Sequence, residues 1–297
     1  MSQSVHPTAQ PGLIEAQPLF AARRLHLRRW SVRPGLLLAG LFVLLLIIAA
    51  LQPGWLVAGD PLEASARQAF RAPDSLYWLG TDENGRDILT RLVYAVRPSL
   101  VLGVSATAIG LLIGTLFGLT AGLGPRWLDG AVMRVVDVLL AFPDLLLALV
   151  IITFFGQGQL NLILAVGIAS VPRYARLLRA QTLVVRSAGY VEAATTLGLS
   201  RPAVIVRHIL PNAIKPVLIL ATIGIGGNIV NGAALSFLGF GAPPPAPEWG
   251  GMLAMGRNYL ANAWWLVAWP ALAITLTVVS ISVIGRELLR RSEGKRP

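Results

Sequence analysis

Two aspartates, Asp137 and Asp144, stand seven residues apart in an otherwise apolar run, and only three histidines, His6, His26 and His208, occur in 297 residues. An ionisable side chain inside a bilayer is costly to keep, so both carboxylates are candidate functional groups. Seven residues return to nearly the same helix face, which puts them on one side. Asp137 is read as pairing with Arg134 at i+3, near a membrane surface. Asp144 lies deeper and either lines a polar pathway or bonds to a neighbouring span. Hydrolytic chemistry would need a nucleophile with a base in reach. All three histidines lie outside the apolar runs, and no Gly-x-Ser-x-Gly turn occurs. No cysteine and no His-Glu-x-x-His element is present, which removes thiolate and zinc chemistry. A phosphate-cradling loop requires Gly, four residues, then Gly-Lys-Ser/Thr. Lys215 follows Ile214; Lys295 follows Gly294 but precedes Arg296, with Leu289 at the earlier glycine position. No cofactor is therefore expected in this chain, and any ATPase would have to be another one.

The elements that carry these residues are read as helices in a membrane. The chain is 55% hydrophobic and 13% charged, with mean hydropathy +0.67; soluble domains carry about a quarter charged residues. A helical span takes about 20 apolar residues. Six candidates follow: Gly35 to Leu51, or on to Val57; Ser99 to Leu123; Val135 to Phe155; Leu160 to Val171; Pro216 to Phe240; and Ala263 to Ile284. The expected fold class is all-α, a polytopic membrane protein with six transmembrane helices. The fourth is short, so Arg173, Arg176 and Arg179 are expected to snorkel at the interface; a buried soluble-type helix is the alternative there.

Net charge is +11, but the charges flank apolar runs and form no contiguous basic domain, which argues against nucleic acid. With the N-terminus inside, nineteen of the 25 Lys and Arg fall in inner segments. The positive-inside rule then puts both termini in the cytoplasm. The expected divisions are a cytoplasmic tail over 1–34, a first helix within 35–57, and an outer loop over 58–98. A five-helix core over 99–285 and a cytoplasmic tail over 286–297 complete the chain. The first span is read as an uncleaved anchor, and the first 20 or so residues as disordered. The outer loops Gln52 to Pro98 and Gly241 to Asn262 mix Pro, Gly, Trp and charge. They suit an ordered cap or a docking surface, or else simple connection.

Between the fourth and fifth spans runs "YVEAATTLGLSRPAVIVRHILPN", Tyr190 to Asn212. Glu192 favours a helix N-terminus, and Ala193 and Ala194 are strong helix formers. Leu197 falls on their face, and Gly198 stops the helix at a positive φ. Ser200 is positioned to cap a second helix, Pro202 is tolerated in its first turn, and Pro211 is expected to end it. The expected product is a helix-turn-helix along the membrane surface, either a protrusion that seats in a partner or a plain connecting loop.

Glu192-Ala193-Ala194, then Gly198, then His208-Ile209-Leu210-Pro211 resembles the EAA loop of ABC importer permeases, with His208 where the general pattern has Ile. "RHILPN" is similar to the dipeptide/oligopeptide/nickel subfamily. So are "WLGTDENGRDILTRL", "AFPDLLLAL", "RYARLLRAQTL" and "ALSFLGFGAPPPAPEWGGML", in order over most of Leu79 to Leu260. The long N-terminal segment and first span resemble the C-type subunit. The resemblance implies that Glu192, Ala193, Ala194, Leu197, Gly198, His208, Leu210 and Pro211 couple the chain to ATPases. It also implies a B-type permease completing the pore, two cytoplasmic ABC ATPase subunits and a periplasmic or extracellular solute-binding protein. The setting would be a bacterial inner membrane, the cargo a peptide, nickel or a related small solute, and the chain itself no enzyme. An ion channel or a non-transport scaffold is the competing class. In span five, Asn228 and Asn231 among glycines serve either helix packing or the pathway. Two departures stand out. Gly232 occupies the place of an acidic residue common before "LSFLG", and the tail reads "GRELLRRSEGKRP".

Overall fold

The computed structural model describes residues 34–292; the expectations for the disordered start and for the far C-terminus lie outside them. The described residues are helical: α1 Pro34–Leu51, α2 Ile88–Leu123, α3 Arg126–Leu140, α4 Asp144–Phe155, α5 Gln159–Arg186, α6 Gly189–Thr196, α7 Arg201–Val204, α8 Leu210–Phe237, α9 Trp249–Gly256 and α10 Trp265–Ser292. Four of these stretches are long and apolar enough to cross a membrane: α1, α2, the run Arg201–Phe237 and α10. The bent pair of α3 and α4 makes a fifth if it counts as one span. The apolar stretch of α5 is hemmed by Gln159 and Asn161 at one end and by its arginines at the other.

Several boundaries differ from expectation, each for a local reason. α1 stops at Leu51, the nearer of its two expected ends, with Pro53 next but one. α2 begins at Ile88, not Ser99. Asp87 caps it, its carboxylate accepting from the Thr90 amide at 2.8 Å, and Pro98 is carried inside the helix. The expected continuous third span is two helices bent by 95° at a break of residues 141–143. Pro143 has no N–H for the preceding turn and pushes Phe142 out of α geometry. Asp144 then opens α4, where a carboxylate suits the helix N-terminus. α10 runs to Ser292, past the expected tail boundary.

The core of the bundle is the contact of α2 with α5. Gly110, Gly114, Gly118 and Gly122 recur every four residues on α2, and all are buried. A Cβ on Gly114 would stand 2.6 Å from Tyr174 Cβ, and one on Gly118 2.7 Å from the Ala175 carbonyl. The stripe lets the two backbones touch, the small-residue route to helix association in lipid.

The segments before α2 and around α9 form an ordered cap. Asp82 Oδ1 accepts from the Asn84 and Arg86 amides at 2.9 Å each, and its Oδ2 from Arg86 Nε at 2.7 Å. Arg91 also pairs with Asp82, and donates to the Pro61 carbonyl at 3.0 Å and the Pro245 carbonyl at 3.3 Å, so it ties the two loops together. Trp265 Nε1 donates to the Thr81 carbonyl and Trp249 Nε1 to the Leu92 carbonyl, pinning cap to helices.

Candidate functional site

The helical hairpin from α6 to α7 is built by its turn. α6 ends in a Schellman motif: the Gly198 amide donates to the Thr195 carbonyl at 3.0 Å and the Leu199 amide to the Ala194 carbonyl at 3.2 Å. Gly198 sits at φ +86°, with open space around the position of a Cβ. Backbone conformation, not crowding, therefore selects glycine. Ser200 holds the cap position of α7 in extended geometry but makes no side-chain cap bond, and Pro202 occupies its first turn.

Val191, Ala194, Val204 and Ile209 form the hairpin's own core, with Leu199 and Ile205 packed on it and Leu123 and Val185 joining it to the bundle. Ala193, Ala194 and Leu197, read as one face, are divided by that core. Ala194 is buried in that core, whereas Glu192, Ala193 and Leu197 are exposed. Leu197 is 80% exposed at the tip, with Tyr190 exposed on the same short helix.

Pro211 does not end the second helix. α7 passes through one π turn, Ile205–Ile209, into α8. The Leu210 amide bonds back to the Ile205 carbonyl, five residues away. The wide turn absorbs the missing N–H and the bulk of Pro211, so the helix continues. His208 is half-buried in this turn, and its carbonyl accepts from Asn212 Nδ2 at 2.7 Å. The structure thus gathers Glu192, Ala193, Leu197 and Gly198 at the tip. His208, Leu210 and Pro211 lie at the joint between hairpin and α8.

The intramembrane candidates separate in the same way. Asn228 is 1% exposed and donates to Thr107 Oγ1 on α2 at 2.9 Å, a packing bond between helices. Asn231 is half-buried. Asp144 bonds to a neighbouring helix, as an ion pair with Arg173 of α5. Asp137 pairs with Arg176 of α5, against which α3 packs, and not, as expected, with Arg134. Asp129 completes a ladder with Arg179. The three arginines are engaged by carboxylates rather than merely snorkelling. Where the acidic residue was expected, Leu102 fills the space. Its Cδ2 lies 2.3 Å from the Cβ position of Gly232.

Residues 114–295 match the family described as "Binding-protein-dependent transport system inner membrane component". The chain belongs to this family. The inner membrane component described here is 41% identical over 248 residues to the glutathione transport system permease protein GsiD of Pectobacterium atrosepticum, covering 83% of this chain and 82% of that protein. It is 38% identical over 285 residues to the di/tripeptide transport system permease protein DppC of Pseudomonas aeruginosa, covering 94% and 93%. Its fold is similar to a chain of the inward-facing MetNI methionine ABC transporter, with a TM-score of 0.58 at 19% identity over 69% of this chain and 97% of that one.

Three features were missed from sequence. The ladder had a signal, arginines at 173, 176 and 179 opposite carboxylates at 129, 137 and 144. The glycine stripe had one too, in its strict four-residue spacing. The buried Glu248 of the cap, 4% exposed, had none, since its burial depends on α9 folding back onto α8.

Proposed function

We propose that this chain is the C-type permease subunit of an ATP-driven importer of peptides, and that it couples through the α6–α7 hairpin to ATPases it does not contain. Family membership supports the transport role. The relatives named for glutathione and di/tripeptides support a peptide-class cargo. In this reading the chain crosses the inner membrane six times, with α3 and α4 as the third crossing, α5 as the fourth and both termini in the cytoplasm. That direction follows the lysine and arginine bias. The hairpin then projects into the cytoplasm, and the cap of residues 52–87 and 241–262 faces the solute-binding protein. A B-type permease supplies the other half of the pathway, and two ATPase subunits hold ATP and Mg. The chain itself breaks no bond. Hydrolysis in the ATPases moves the hairpin as a rigid body and switches the helices between inward- and outward-open arrangements.

The observation that carries this reading is the tip itself: exposed Leu197 beside Glu192 on an eight-residue helix closed by Gly198. The test is co-expression with the neighbouring permease and ATPase subunits, purification, and reconstitution with the solute-binding protein. ATP-dependent uptake of a labelled dipeptide, with both ATPases retained, is the expected result. Solute flux without ATP would indicate a channel. Absence of both flux and bound ATPases would indicate a scaffold.

A further inference from the structure

The ion pairs Asp144–Arg173 and Asp137–Arg176 are not covered by this chain. α5 starts at Gln159, beside the outer end of α8, where the Gly158 amide meets the Phe240 carbonyl. At about 1.5 Å per residue, Arg173 stands about 21 Å and Arg176 about 26 Å along the helix. With Gln159 taken as the outer boundary, a hydrocarbon core about 30 Å thick would hold both, in the half toward the hairpin. Yet the side chains of Arg173 and Asp144 are 45% and 33% exposed, and those of Arg176 and Asp137 54% and 55%. Beside them the chain breaks helix at Ala141, Phe142 and Pro143, all exposed. Ionised side chains and irregular backbone are not left against lipid tails; at such depth they face protein or water. Each guanidinium carries five N–H donors, more than one carboxylate satisfies. An apolar helix face would leave the remainder unmet, whereas water meets them.

We propose that these two pairs and the break at 141–143 form a polar wall of a water-filled vestibule, open on the side of the membrane that carries the hairpin. This rests on the orientation proposed above and adds where the hydrophilic pathway runs in this subunit. The absence of cysteine from the chain makes the test direct. Phe142→Cys and, as a second variant, Ala141→Cys are made in the assembled complex. Each is treated in membrane vesicles with a charged, impermeant maleimide and with an apolar one. Leu38→Cys, 68% exposed on the apolar α1, serves as the lipid-facing reference. The charged reagent is expected to label positions 142 and 141 at least tenfold faster than position 38, from the hairpin side. Labelling by the apolar reagent alone would place the break in lipid, and labelling by neither would bury it against another subunit. Either result overturns the proposal. Retention of ATPase subunits is scored in the same preparation. Fast labelling without them would sink the transporter reading and leave the aqueous wall standing.

Discussion

Arg179 of α5 donates from both Nε and Nη2 to the two carboxylate oxygens of Asp129 on α3, fifty residues away, the Nη2 bond at 2.6 Å. This fork fastens the start of the bent helix pair to α5, and Arg186 extends it by donating to the Gly122 carbonyl at 2.7 Å, at the end of α2. Bidentate guanidinium–carboxylate pairs are the stronger class of ionic hydrogen bond. Arg179→Gln alone should cost more than Arg179→Gln together with Asp129→Asn, because the single change strands a half-buried carboxylate. A double-mutant cycle on thermal unfolding in detergent should give a coupling of about 1–3 kcal/mol. A coupling near zero would mean that the fork is incidental.

Much of this architecture was legible beforehand, and the losses have a common cause. Apolar runs located the helices because burial in lipid is a property of local composition. The turn at Gly198 was legible because a positive φ is a local demand. What could not be read was partner choice across the bundle. Asp137 had Arg134 three residues away and Arg176 thirty-nine away, and only the packing of α3 against α5 decides between them. Likewise Pro211 reads as a stop unless a π turn precedes it, and a π turn has no clear composition signal.

The glycine stripe predicts a sharp contrast within one bundle. Gly114→Ala sets a methyl 2.6 Å from Tyr174 Cβ and 2.9 Å from the Val171 carbonyl, both on a packed helix. It should destabilise by about 1–3 kcal/mol. Gly227→Ala meets nothing within 4 Å on exposed α8 surface. Its better helix propensity should make it neutral or stabilising by up to about 1 kcal/mol. Unfolding midpoints of the two variants check the pair.

The hairpin turn can be tested without touching a contact. Gly198→Val has room for its side chain but must adopt φ near +86°, which costs about 1–2 kcal/mol for a residue with a Cβ. Gly198→Asn tolerates that region far better. Valine should lower uptake several-fold at unchanged membrane insertion, with asparagine close to the parent. Equal uptake by both variants would show that the turn need not be rigid.

Leu197 makes a complementary case, since its side chain is exposed. Leu197→Glu should leave the unfolding midpoint within about 0.5 kcal/mol of the parent, yet cut recovery of the ATPase subunits on purification. Glu192→Lys reverses the one charge on the tip helix, at the helix end where a carboxylate is favoured; it should cost up to about 1 kcal/mol of stability and likewise cut ATPase recovery. Full ATPase recovery with either variant would remove the tip from the interface.

Glu248 gives a pH dependence whose sign can be worked through. It precedes α9 in the outer cap, and burial pushes its carboxyl pKa up, while the Ser236 hydroxyl and the Gly250 and Gly251 amides pull the other way. Its folded pKa therefore lies above the unfolded value, which is near 4.3 for a glutamate. Between the two the native state binds more protons than the unfolded chain, so stability falls as pH rises through that window. Glu248→Gln keeps the shape and removes the titration. The variant should match the parent, or fall slightly below it, near pH 4. It should gain thermal stability over the parent as pH rises, with the gap constant once the parent's carboxyl is fully ionised. Parallel unfolding midpoints for variant and parent across that range would mean that the carboxylate finds solvation in the cap and its burial costs nothing.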